Sequence, residues 1–135
     1  MPTLQLKVSQ THRPLPARAL GAALTRLAAE CLGKRPEVTA VMIEELPASH
    51  WTIGGQEVQE PTVFLEISIT AGTNTVTEKA AFVAAAFAEL QRQLGDGGPL
   101  ASASYVIVRE LPATDWGYGG HTQAQRKLQR EATPY

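Results

Sequence analysis

The sequence predicts an α+β fold: two tandem β-α-β units that form a four-stranded sheet with two helices on one face. Three observations lead there. The first is an internal repeat. Residues 45–55 read Glu-Leu-Pro-Ala-Ser-His-Trp-Thr-Ile-Gly-Gly, and residues 110–120 read Glu-Leu-Pro-Ala-Thr-Asp-Trp-Gly-Tyr-Gly-Gly, identical at seven of eleven positions. The only two tryptophans, Trp51 and Trp116, fall at the matching place. Self-similarity of this kind marks a repeated supersecondary unit. The second observation is apolar alternation with period two near the start of each half. The third is a helical apolar stripe that follows each alternating segment.

Each element has a local cause. In residues 3–9, Leu4, Leu6 and Val8 face one way and Gln5 and Lys7 the other, which predicts a strand. Residues 11–16 form a polar, proline-marked turn. Residues 17–32 place Leu20, Leu24, Leu27 and Cys31 at helical spacing, and Gly33 suits the end of that helix. Cys31 lies on the stripe and reads as a small core residue. A second strand is expected over residues 38–44, around Val41, Met42 and Ile43. The second half repeats the plan. Residues 63–70 form a strand in which Leu65-Glu66-Ile67-Ser68 matches Leu6-Lys7-Val8-Ser9. Thr75 and Glu78 have capping-box spacing and open a helix over residues 76–94 that carries Phe82, Phe87 and Leu90. Leu94-Gly95 is expected to end it as Leu32-Gly33 ends the first. Residues 96–99 are a loop, and residues 104–109 the fourth strand. The polar residues 121–135 are expected to form a short helix or arm that packs on a neighbour. The whole is a single domain, 1–135, with repeats 2–60 and 61–123. Strand–helix–strand units imply parallel strands and a right-handed crossover within each. One sheet face is left uncovered, and an oligomer is the simple remedy.

Composition narrows the function. A chain of 135 residues is one domain. Its formal net charge of -1 argues against nucleic acid as a partner. The lack of a long apolar run argues against a membrane span. One cysteine forms no internal disulfide, and no basic-then-apolar leader opens the chain. These features predict a cytoplasmic protein. His12, His50 and His121 are too scattered to read as a metal site, so no metal or cofactor is expected.

Pro2 after Met1, followed by two strand–helix–strand halves with a Gly-Gly hairpin after each, resembles the tautomerase superfamily. Its members start on a proline exposed by removal of Met1. The resemblance runs from Pro2 to about residue 123. The segment from Ser49 to Gly55 resembles the short 4-oxalocrotonate tautomerases. The overall length and Gly33-Lys34-Arg35-Pro36 resemble macrophage migration inhibitory factor, a fused two-unit trimer. The resemblance implies a homotrimer, with Lys34 as a pocket lysine and Tyr105 as a pocket tyrosine lent by a neighbouring subunit. It also puts Trp116 and Tyr118 on the pocket wall. Departures accompany it. The short tautomerases carry an arginine in the strand after the helix, where this chain has Ala40 and Tyr105. They carry another in the first loop, where it has His12, with Arg13 beside it. Ala71, Gly72 and Thr73 stand where the related decarboxylases carry an arginine pair. A doubly negative substrate held by several arginines is therefore not expected.

The chemistry of the candidate residues fits this family. Freed of Met1, Pro2 is a secondary amine. A free α-amino group has a pKa of about 7.7–8.0, and both burial and a nearby cation such as Lys34 push it down. That produces a base poised for proton transfer at a carbon beside a carbonyl. Pro61 starts the second half, but its nitrogen lies inside an amide and has no basic lone pair. One live site per chain is expected. Lys34 would bind a substrate carboxylate or steady an enolate oxygen, or simply complement the helix dipole. Tyr105 would donate to the substrate, and Arg13 is a further candidate for the carboxylate. The reading is a cofactor-independent keto–enol tautomerase acting on a small carboxylated carbonyl compound. Hydration, decarboxylation or dehalogenation at the same proline is the enzymatic rival. A non-catalytic binding module, on this fold or a ferredoxin-like one, is the rival from another class.

Overall fold

A computed structural model describes residues 2–11 and 13–132. The first half is β1 (Thr3–Ser9), α1 (Ala17–Leu32) and β2 (Ala40–Leu46), closed by a hairpin of β3 (Thr52–Ile53) and β4 (Gln56–Glu57). The second is β5 (Val63–Thr70), α2 (Val76–Leu94) and β6 (Tyr105–Leu111), closed by β7 (Gly117–Tyr118) and β8 (His121–Thr122). A third helix, α3 (Gln123–Ala132), follows. The main sheet has the order β2-β1-β5-β6. β1 and β2 are parallel, as are β5 and β6, and the two halves meet antiparallel through β1 and β5.

The alternation in β1 and β5 builds the core. Leu4, Leu6 and Val8 are buried on the same face as Leu65, Ile67 and Ile69, and there they meet Leu20 and Leu24 of α1 and Phe82 and Leu90 of α2. Burying side chains of this size contributes about 1.5–3 kcal/mol each. Cys31 packs at the margin of this cluster. Burial, followed by the neighbouring Glu30 carboxylate, raises its thiol pKa, so the thiolate is disfavoured. The other sheet face is open and mixed in character: Gln5, Met42 and Arg109 are exposed there, and Arg109 pairs with Glu66 at 3.4 Å.

The backbone repeats along with the sequence. Ala40 N–H donates to the Pro2 carbonyl at 3.3 Å, and Ala101 N–H donates to the Pro61 carbonyl at 2.9 Å. The Trp51 carbonyl accepts from Val58 N–H at 3.0 Å, and the Trp116 carbonyl from Gln123 N–H at 2.9 Å. Gly54, Gly55, Gly119 and Gly120 all have positive φ, the requirement of tight two-residue hairpin turns.

Two expectations need correction. The second strand starts at Ala40, because Pro36 opens a 3-10 turn over Pro36–Val38. The fourth strand runs Tyr105–Leu111, because its pairing with β5 extends to Thr70↔Leu111. Gly95 ends α2 as expected, although its backbone differs from that of Gly33. Gly33 is left-handed at φ 68, whereas Gly95 stays right-handed at φ -73. The tail takes the helical one of its two expected forms over Gln123–Ala132, and Arg126 packs on Tyr118 of its own chain. His12 and residues 133–135 of the expected C-terminal arm lie outside the described residues.

Candidate active site

The parallel pairing of β1 with β2 and of β5 with β6, joined antiparallel, collects several chain segments at one end of the sheet. Pro2 enters β1 there, β2 begins there, and β5 and β6 end there. Pro2 is buried and lines a cavity of about 190 Å³ with Val38, Ala40, Trp116, Tyr118 and Gln123. The lining is mostly apolar, the environment that disfavours an ammonium ion.

The β7–β8 hairpin holds the aromatic wall. Gly117 is required by close approach: a Cβ there would lie 1.9 Å from the His121 carbonyl oxygen. The Arg126 guanidinium stacks on the Tyr118 ring, 3.6 Å from its centroid. Its Nη2 also donates to the Tyr118 carbonyl at 2.8 Å. Both contacts fix the tyrosine against α3. Trp116 Nε1 is buried with no acceptor among the described residues.

Beside this cavity lies a second one, of about 290 Å³, and Gln123 lines both. Lys34 is in the second, with Arg35, Lys127 and Arg130. Lys34 Nζ donates to Thr73 Oγ1 at 2.9 Å. Burial lowers the Lys34 pKa, opposed by the Glu78 and Glu110 carboxylates. Glu110 is occupied elsewhere: it pairs with Lys79 and accepts from Gly72 N–H at 3.2 Å. The Lys79 hydrogen bond, then the Gly72 one, lowers its pKa.

Of the residues singled out in the sequence, Pro2, Trp116 and Tyr118 are brought together, and Lys34 stands next door. Arg13 and Tyr105 are not brought to Pro2 within the chain. Arg13 follows the far end of β1, about 20 Å away at strand rise, and pairs with Asp96 at 3.4 Å. Tyr105 begins β6 at that same far end and is 60% exposed, so only a second chain can present it to a Pro2 cavity. Val38, Gln123 and Arg126 were missed. A signal for the helix that carries the last two was present: Thr122 and Gln125 have capping-box spacing. Their bonds are reciprocal in the fold, with Gln125 N–H donating to Thr122 Oγ1 at 3.0 Å and Thr122 N–H to Gln125 Oε1 at 2.8 Å.

Comparison with known proteins agrees with this architecture. A family model described as tautomerase enzyme matches residues 17–60. Probable tautomerase K2 of Dickeya dadantii (strain 3937) is 42% identical over 43 residues, 32% of this chain and 64% of that relative, so the match spans under two thirds of the relative's length. A solved fused 4-OT wild-type symmetric trimer superposes with a TM-score of 0.79 at 25% identity, covering 92% of this chain and 98% of that one. A native fused 4-OT crystal structure gives 0.75 at 29% identity, covering 95% and 99%. A macrophage migration inhibitory factor-like protein from Entamoeba histolytica shares the fold, with a TM-score of 0.72 at 16% identity over 90% of this chain and 97% of that one. The fold is thus that of 4-OT and the macrophage migration inhibitory factor-like proteins. Together these likenesses support a fused two-unit member of the tautomerase superfamily.

Proposed function

We propose that this protein is a cofactor-independent keto–enol tautomerase whose base is the Pro2 amine, exposed by removal of Met1. The observation that carries the proposal is the apolar cavity in which Pro2 faces Trp116 and Tyr118. Its pseudo-equivalent, Pro61, holds only an amide nitrogen. In the ketone-to-enol direction, the Pro2 nitrogen takes a proton from the carbon beside the carbonyl. The C–H electron pair becomes the new C=C bond, the carbonyl π pair moves to oxygen, and the protonated Pro2 nitrogen passes the proton it took to that oxygen, which restores the free amine. The reverse direction returns the proton to carbon. The Pro2 ring restricts the backbone at the base, and the apolar walls exclude water from the enolate. Lys34, in the adjoining cleft, anchors a substrate carboxylate. Tyr105 and Arg13 join a site only across a subunit boundary, which makes a homotrimer part of the proposal.

The absence of the decarboxylase arginine pair, with Ala71, Gly72 and Thr73 in its place, favours tautomerisation over the rival reactions. A panel followed by ultraviolet absorbance tests this. Phenylpyruvate or a 2-hydroxydienoate is expected to turn over faster than malonate semialdehyde is decarboxylated or a chloroacrylate dehalogenated. Dehalogenation as the fastest reaction overturns the ranking.

A further inference from the structure

One buried position sets the two halves apart beside their strand-start prolines. Gln123 and Val58 are equivalent. Each N–H donates to the carbonyl of its half's tryptophan, Gln123 to Trp116 at 2.9 Å and Val58 to Trp51 at 3.0 Å. Each residue is 8% exposed. Val58 lines a recess with Pro61, and Gln123 lines the cavity with Pro2. The same backbone place thus takes an apolar side chain next to the amide nitrogen and a polar one next to the amine. Val58 shows that the fold does not require a polar group there. Gln123 also brings a group with no partner. Among the described residues, the side-chain hydrogen bonds of α3 are those of Gln125 and Arg126. Burying an amide unpaired costs about 1–3 kcal/mol, and an oxygen bound in the cavity removes that cost. The backbone does not take this role, because the first N–H groups of α3 are spent. They donate to the Trp116 carbonyl, to the Ala113 carbonyl at 2.9 Å and to Thr122 Oγ1 at 3.0 Å. Trp116 Nε1 is unpartnered too, but it is fully buried and out of a substrate's reach.

We propose that Gln123 is a further catalytic residue, whose Nε2 donates a hydrogen bond to the substrate oxygen beside the carbon that Pro2 deprotonates. That oxygen is a carbonyl in the ketone and gathers negative charge as the enolate forms, so the bond strengthens toward the transition state. The amide keeps its own protons; the proton that reaches the oxygen comes from Pro2. Being neutral, the amide stabilises the oxygen without adding a charge beside the amine. This rests on the tautomerase reading for its reaction, but not for the contact with oxygen.

Two measurements separate the contact from the reaction. The first is calorimetric titration with 3-phenyllactate and 3-phenylpropanoate, which differ only in a hydroxyl beside the carboxylate and do not tautomerise. The intact protein is expected to bind 3-phenyllactate about 3- to 10-fold tighter, the worth of one hydrogen bond. Gln123→Met keeps the length and loses the donor, and Gln123→Val copies Val58. Both are expected to lose that margin and to bind 3-phenylpropanoate as before. Circular dichroism checks that α3 survives. The second is steady-state turnover of phenylpyruvate. Gln123→Met is expected to lower kcat about 10²-fold with little change in KM. Gln123→Glu is isosteric but has no N–H, and its carboxylate repels the enolate, so it is expected to be at least as slow. A packing role would instead leave Gln123→Glu the most active of the three. A margin that the variants lose, in a protein that turns over no phenylpyruvate, leaves the contact standing and defeats the tautomerase reading. Equal binding of the two acids by the intact protein overturns the role of Gln123. So does an unchanged margin or kcat in Gln123→Met, an equal weakening of both acids in the variants, or Gln123→Glu as the most active.

Discussion

Pro2 and Pro61 hold equivalent backbone positions, each accepting a hydrogen bond at the start of its strand, yet only a chain terminus turns proline into a base. Lys34 shows a second way in which position makes chemistry. Its ammonium is partly buried and its pKa lowered by that burial, so it holds its proton less firmly than a surface lysine. As pH rises toward that lowered value, Lys34 loses its charge and with it the attraction for a carboxylate. KM for a carboxylated substrate is therefore expected to begin climbing below the ordinary lysine value of 10.5, while KM for an uncharged carbonyl compound does not. Lys34→Arg should flatten the climb, because a guanidinium stays charged throughout. Steady-state kinetics against pH checks this, and an equal rise for the uncharged compound contradicts the role given to Lys34. The identity of these residues was legible from the chain, but their grouping was only partly so. Pro2, Trp116 and Tyr118 converge as expected. Lys34 falls in a neighbouring cleft because its side chain turns to Thr73 Oγ1, a contact 39 residues away in the chain that no local pattern encodes.

Both core helices were readable to their ends, and the reason is local chemistry. Thr75 and Glu78 exchange hydrogen bonds, with Glu78 N–H donating to Thr75 Oγ1 at 3.1 Å and Thr75 N–H to Glu78 Oε1 at 2.8 Å. Thr75→Ala removes the first of these and is expected to cost about 0.5–2 kcal/mol. Chemical denaturation measures it, and a loss below a few tenths would show that the cap is not needed. The strands were less exact because their ends are fixed by neighbours. β6 runs on to Leu111 through its ladder with β5, and β2 waits for the 3-10 turn after Arg35. α3 was left open between helix and arm for a different reason. It is polar nearly all round: Leu128, its one large apolar residue, is 66% exposed. A search for apolar stripes passes over such a helix, though its Thr122–Gln125 cap was visible. That helix supplies Gln123 to both cavities and two cations to one of them.

Across the whole molecule, duplication of a β-α-β unit explains the sheet order, the antiparallel seam of β1 with β5, and the single face that both helices cover. The opposite face keeps Gln5, Met42 and Arg109 in the open, and Tyr105 sits on it at the end away from Pro2. An assembly covering this face would bring one chain's Tyr105 toward another chain's cavity. Light scattering at micromolar concentration is expected to give about three times the 14.5 kDa chain mass; a stable monomer removes Tyr105 and Arg13 from the site. The overall architecture was legible because the repeat constrains it twice over, whereas nothing in a single chain's periodicity shows how copies meet. If Met1 is removed as proposed, each chain has one amine at a strand start, at Pro2, and one amide, at Pro61, and the most direct test follows from it. The rate of phenylpyruvate tautomerisation is measured for two forms of the protein, one beginning at Pro2 and one retaining a residue before it. The extension makes the Pro2 nitrogen an amide, so the extended form is expected to lose about 10²- to 10⁴-fold in rate with an unchanged circular dichroism spectrum. An extended form that stays fully active would contradict Pro2 as the base and leave this fold a binding module.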